Sequence, residues 1–109
     1  QGEVNYKIEY SPIAIRDLDR VYAEVLEASK DIGTAIRYID DLMDQVAAKG
    51  EFPKSGSPLY YESGFTGYYF VVFKAYMAFY RVDADRIYVD RIVFGRSEYI
   101  RNIFKLLNR

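Results

Sequence analysis

The feature that most constrains the fold is the run from Gly67 to Tyr99, GYYFVVFKAYMAFYRVDADRIYVDRIVFGRSEY, where three aromatic and β-branched segments are separated by very short polar breaks. Such side chains suit a pleated, half-buried surface, so residues 68–74, 76–82 and 87–94 are expected to be strands. Breaks this short cannot carry the crossover that parallel neighbours need, which predicts an antiparallel meander. Residues Tyr68 to Phe73 show no polar alternation, as expected for a central strand covered on both faces. Lys74-Ala75 must serve as a hairpin turn without Gly or Asn.

The first half of the chain reads differently. Val4, Tyr6, Ile8 and Tyr10 alternate with Asn5, Lys7 and Glu9, the period of a strand with one buried face, over about residues 4–10. Ser11-Pro12 then offers a capping oxygen followed by a residue whose fixed φ suits the first helical position. Along the helix that follows, Ala14, Ile15, Leu18, Val21, Tyr22, Val25 and Leu26 recur at helical spacing, and Arg16, Asp17, Asp19, Arg20, Glu24 and Glu27 are assigned to water. A break at Asp31 to Thr34, with Gly33 at the sharp turn, separates it from a second amphipathic helix carrying Ala35, Ile36, Ile39, Leu42, Met43, Val46 and Ala47 and stopping at Gly50.

These patterns predict an α+β fold: an antiparallel sheet of about four strands, an N-terminal helical hairpin packed on it, and a short C-terminal helix capped by Ser97. The segment from Gly50 to Gly67 is rich in Pro, Ser and Gly and reads as a loop holding a short extra strand near Leu59 to Glu62. With 109 residues, no internal repeat and no linker, residues 1–109 are expected to form a single domain. Half the residues are hydrophobic and both signs of charge are mixed, which excludes an intrinsically disordered chain.

Composition also closes off chemistry. The chain has no Cys and no His, so thiolate nucleophiles, disulfides, the usual general base and the commonest metal ligands are absent. Ser55, Ser57, Ser63 and Ser97 therefore lack a His to activate them. Asp40 and Asp44 stand one helical turn apart beside Asp41, a hard-metal spacing that on a polar helix face ordinarily means solvated carboxylates; no metal or cofactor is expected. No apolar run approaches a membrane span and no leader pattern is evident, so a cytoplasmic protein without membrane contact is expected. The net charge of −1 conceals an asymmetry: residues 1–50 hold 6 Lys/Arg against 10 Asp/Glu, and residues 51–109 hold 9 against 6. Any nucleic-acid contact must be local, because non-specific affinity comes from many phosphate neutralisations.

The candidate chemistry lies in the sheet half. Arg96 and Tyr99, three apart at a strand–helix junction, could hold a phosphate bidentately and stack on a base or move a proton. The alternative is that Arg96 pairs with Glu98 or a carbonyl and Tyr99 packs in the core. Arg81 and Arg91, on neighbouring strands, could extend a basic strip, or could form surface ion pairs with Asp83 and Asp90. Arg101 and Lys105, four apart, stand together on a face of the last helix. Tyr68, Tyr69, Tyr76, Tyr80 and Tyr88 could form a stacking platform, although Tyr on strands more often belongs to a core or a protein interface.

Tyr76, Phe79-Tyr80-Arg81-Val82, the turn from Asp83 to Arg86, Arg91-Ile92, and Gly95-Arg96 followed by Tyr99 together form a pattern that resembles the RelE/ParE superfamily of bacterial toxins from toxin-antitoxin operons. The order strand, helix, helix, then a loop with Phe52-Pro53 and Gly56 fits the same superfamily, so the resemblance covers nearly the whole chain. It implies a growth-inhibiting toxin of a type II system, of the kind called plasmid stabilisation proteins, with a cognate antitoxin as partner and either a homodimer or a toxin–antitoxin hetero-oligomer as the assembled form. The RelE-like branch implies a metal-free, ribosome-dependent mRNA endonuclease, with Arg96 and Tyr99 as its catalytic pair and Arg81, Arg91, Arg101 and Lys105 as RNA or target contacts. On that branch Arg96→Ala should abolish toxicity. Tyr68, Phe70 and Met77 stand where that branch places Lys, Lys and Arg, and Phe94 where other members have His. The ParE-like branch, whose target is DNA gyrase, has a long helical hairpin and does not need those residues, and it ranks first. A non-toxic binding module of the same fold is the third reading.

Overall fold

The computed structural model describes residues 6–62 and 64–95. The elements run β1 (Lys7–Tyr10), α1 (Pro12–Ser29), α2 (Ile32–Ala47), β2 (Ser57–Tyr61), β3 (Gly64–Phe73), β4 (Tyr76–Asp83) and β5 (Arg86–Phe94), with single 3-10 turns at Ala48–Gly50 and Pro53–Ser55. The anticipated C-terminal helix lies outside the described residues.

Local chemistry sets the helix ends. The Ser11 side chain accepts from the Ala14 N–H at 2.9 Å with Pro12 in the first turn, which starts α1 where the chain leaves β1. The reversal between the helices falls at Lys30, whose φ of 58° is left-handed and whose N–H closes on the Leu26 carbonyl. Gly33, expected at that turn, is instead inside α2, because Asp31 caps the helix by accepting from the Thr34 N–H at 2.9 Å. The β3–β4 turn likewise places Lys74 at φ 53°, a conformation that usually falls to Gly or Asn.

One five-stranded sheet has the order β1-β5-β4-β3-β2. The meander β3-β4-β5 is antiparallel as expected, with Tyr69↔Tyr80 and Ala78↔Ile92 among its pairs. Two features correct the expected four antiparallel strands. The loop segment supplies a full edge strand, β2, antiparallel to β3; and β1 lies parallel to β5, Lys7↔Arg86 through Tyr10↔Val89. A parallel partner is sterically open to β1 because the long helical hairpin and the remaining strands intervene between it and β5.

The helices cover one face of the sheet. Ala14, Val21, Leu42 and Val46 pack with Val71, Tyr76, Ala78, Tyr80, Ile87, Val89 and Ile92, and burying each large side chain of this kind stabilises the fold by ~1.5–3 kcal/mol. On the opposite face Leu59, Phe79 and Val93 form a smaller cluster with Tyr68, Phe70 and Met77. β3 is therefore not sealed on both faces: Val72 is 59% exposed, so the absence of polar alternation there reflects an apolar outer surface.

The loop before β2 is anchored by Tyr80, whose buried hydroxyl donates to the Pro53 carbonyl. Burial pushes the Tyr80 phenol up to about 12, and burial does the same to Tyr10. Both folded values lie above the unfolded one of ~10, so their contribution is fully present below that pH and is lost as pH rises toward about 12. Urea midpoints followed by circular dichroism should stay level from neutral pH to ~9 and fall beyond ~10. A midpoint that stays level into strong alkali would mean these phenols are not buried.

Candidate functional site

Where β1 ends, β5 has no strand neighbour on that side among the described residues, since β1 pairs only with residues 86–89. Side chains of α1 occupy the vacant edge. The Asp17 carboxylate accepts from the Ile92 N–H at 2.8 Å, and the Arg20 guanidinium donates to the Ile92 carbonyl at 2.9 Å. Together they satisfy the strand as a neighbouring backbone would. Arg91 donates to both Asp17 oxygens, Nε at 2.8 Å and a terminal nitrogen at 3.2 Å, and Arg20 adds a bond at 2.7 Å.

Asp17 is only 2% exposed, which corrects its assignment to the water-facing side of α1. Burial alone would raise its carboxyl, but the bonds from Arg91, the Ile92 N–H and Arg20, with the charge of Arg91, outweigh that and hold it below the usual carboxylate range. Arg91 is thus tied to α1, and not to Asp90 as the sequence suggested. Two helical turns beyond Asp17, the Tyr76 hydroxyl donates to Glu24, and desolvation together with that carboxylate raises the phenol.

Asp90 has a different partner because β5 carries one extra residue there: Phe79 faces Arg91 while Tyr80 faces Val89. The bulge leaves Asp90 accepting from Arg81 Nε and from the Tyr68 hydroxyl, each at 2.9 Å. Arg81 also lies 4.7 Å above the Tyr88 ring. Its hydrogen bond with Asp90, and the charge behind it, raise Arg81, so its guanidinium is engaged by this pair and not by Asp83.

Of the six sequence-nominated positions, Arg81 and Arg91 are therefore held in ion pairs with Asp90 and Asp17. Arg96, Tyr99, Arg101 and Lys105 lie outside the described residues. The chain reaches them at Gly95, whose N–H bonds the Ala75 carbonyl and so places the exit from β5 beside the β3–β4 turn. The five tyrosines do not make one platform: Tyr69, Tyr76 and Tyr80 pack with the helix-side core, while Tyr68 belongs to the other face. Asp40, Asp41 and Asp44 are exposed on α2.

Sequence reasoning missed Asp17 and Arg20 as structural partners of β5. The signal was present, since Asp17 falls between Ala14 and Val21 on the stripe that also carries Val25.

Two kinds of comparison place this geometry among known proteins. The family model described as the ParE toxin of the type II toxin-antitoxin system, parDE, matches residues 8–99. Among solved structures, the chain is similar to one titled as the chromosomal ParDE TA system from P. aeruginosa, with a TM-score of 0.67 and 20% identity over 82% of this chain and 95% of that one. It is also similar to one from the toxin-antitoxin complex RelBE2 of Mycobacterium tuberculosis, with a TM-score of 0.56 and 21% identity over 84% of this chain and 92% of that one. Comparison with curated proteins finds no sequence match. No helix among the described residues is long and apolar enough to cross a membrane.

Proposed function

The chain belongs to the ParE toxin family of type II toxin-antitoxin systems, and on that premise we propose that it arrests growth by acting on DNA gyrase. A cytoplasmic site of action and neutralisation by an antitoxin encoded beside it follow from the same reading.

The observation that carries the choice of gyrase over mRNA is the chemistry of the outer sheet face. Tyr68, Phe70 and Met77, the positions at which a RelE-like nuclease would place cations, pack there with Leu59, Phe79 and Val93. The arginine beside them, Arg81, is paired with Asp90. Cutting RNA without a metal requires charge to be stabilised on the phosphate as the ribose hydroxyl attacks, and cations already matched to carboxylates do this poorly. An apolar face instead suits contact with a large protein surface.

The proposal is tested by expressing the chain with and without its operon neighbour while scoring growth, DNA breaks and mRNA ends. Growth arrest with gyrase-linked breaks, relieved by the neighbour, is expected; mRNA cut within codons would favour the ribosome-dependent nuclease, and unimpaired growth the non-toxic binding module. Arg81→Ala should leave toxicity unchanged and lower stability by under ~1 kcal/mol, as for other exposed pairs. Loss of toxicity in a folded Arg81→Ala variant would assign that arginine to the target contact.

A further inference from the structure

Where the helical hairpin meets the start of β4, Glu24, Val25 and Ala28 of α1, Tyr38 of α2 and Tyr76 line a recess of about 420 Å³. That size lies within the ~300–1,000 Å³ of small-ligand sites. Its walls are set by the core, since Tyr76 is buried and Val25 and Tyr38 pack against the same cluster. Edge-on contacts brace the Tyr38 ring, with Phe73 at 5.1 Å and Tyr76 at 6.0 Å between centroids.

Two observations give the charge that suits this recess. The Lys74 ammonium lies 5.2 Å from the Tyr38 ring centroid and 5.4 Å from that of Phe73, so these rings already hold a cation of this chain. The second is a spare acceptor. The Tyr76 hydroxyl donates to Glu24 Oε1, whereas Oε2 receives no hydrogen bond among the described residues and has Arg20 Nε 3.8 Å away. Arg20 is held at that distance because its terminal nitrogens donate to Asp17 and to the Ile92 carbonyl. The neighbouring charges are engaged elsewhere: Lys30 pairs with Glu27, and Asp31 accepts from the Thr34 N–H and hydroxyl.

A ligand that uses all of this has a cationic head bearing N–H donors and a short apolar stem. A quaternary ammonium would satisfy the ring and leave Oε2 without a donor. A protein segment is poorly matched, because a stable interface buries ~800 Å² on each partner and the two tyrosines here are already largely covered by the core.

We propose that the recess binds a small organic cation, an alkyl chain ending in a guanidinium or a primary ammonium, its head on Glu24 Oε2 and the Tyr38 ring and its stem on Val25 and Ala28. The proposal stands whether the toxin's target is gyrase or the ribosome.

The test titrates the intact, nitrogen-15-labelled protein with propylguanidine and follows the backbone amide shifts from Glu24 to Ala28 and from Thr34 to Tyr38. Neutral propylurea, tetramethylammonium and a capped Gly-Arg-Gly tripeptide serve as comparisons. Propylguanidine is expected to bind about tenfold more tightly than propylurea or tetramethylammonium, because it alone offers Glu24 a charge-assisted hydrogen bond. Glu24→Gln, at an exposed position that keeps an acceptor for Tyr76, should erase that preference. Lys74→Met removes the cation that shares the ring and should tighten propylguanidine binding about threefold. Equal binding of propylurea, or a preference unchanged in Glu24→Gln, would overturn the proposal. So would a tripeptide that binds tenfold more tightly than propylguanidine, because the recess would then belong to an arginine of a protein partner.

Discussion

Asp17→Ala should be the most damaging single substitution in the chain, lowering stability by ~3–5 kcal/mol, the usual cost of breaking a buried ion pair by removing one partner. Three donors converge on that carboxylate, Arg91, Arg20 and the Ile92 N–H. Alanine removes the buried acceptor that all three share, and at ~4–8 °C per kcal/mol the melting temperature should drop by well over ~10 °C. Asp17→Asn retains an acceptor for the Ile92 N–H and should fall between. The same carboxylate sets an acid dependence. Its folded pKa is depressed, so its contribution is complete above the unfolded value of ~3.9 and disappears as pH falls through the lower folded one. Wild type should therefore lose stability in strong acid more steeply than Asp17→Asn. If Asp17→Ala melted like wild type, the α1 side chains would not be closing the edge of β5.

Gly56→Ala should cost ~1–3 kcal/mol through overpacking, although its backbone conformation is open to any residue. A Cβ there would lie 2.2 Å from the Tyr80 hydroxyl oxygen and 3.1 Å from the ring carbon bearing it. Tyr80 has no exposed surface and its hydroxyl holds Pro53, so the ring has nowhere to withdraw. Removing that oxygen makes room: in Tyr80→Phe the added methyl should cost much less, giving a coupling energy of ~0.5–3 kcal/mol in a double-mutant cycle. Additive effects in the cycle would mean that the loop before β2 does not rest on Tyr80.

Much of the architecture was legible from side-chain periodicity. The meander, both helices and the Ser11-Pro12 start appear where alternation and capping chemistry place them, because each is decided by neighbours in sequence. What was not legible depends on partners distant in sequence. The parallel pairing of β1 with β5 leaves no mark on either strand, since alternation reports a buried face and not the direction of a neighbour. Gly33 drew the interhelical turn toward itself, yet Asp31 capping moved the reversal back to Lys30, where a lysine accepts left-handed geometry.

The candidate site divides along the same line. Arg81 and Arg91 are recognisable as strand arginines, but their proximity to Asp83 and Asp90 in sequence misassigned their partners. The extra residue Asp90 in β5 rotates the pairing, sending Arg81 to Asp90, while α1 delivers Asp17 to Arg91. Recognition of the superfamily rested on residue types around β4 and β5, and the fold places several of those same residues in structural roles: Tyr80 anchors a loop, Tyr76 meets Glu24, and Arg91 fastens the helices to the sheet. A family motif can thus mark the scaffold as strongly as it marks chemistry.

The central claim, a toxin that acts on gyrase with its strand arginines committed to the fold, is tested most directly by incubating the purified protein with DNA gyrase, ATP and relaxed plasmid. Blocked supercoiling, with cleaved DNA recovered covalently attached to gyrase and an equal effect from Arg81→Ala, is the expected result. Normal supercoiling, together with mRNA cleaved on ribosomes by the same preparation, would contradict it.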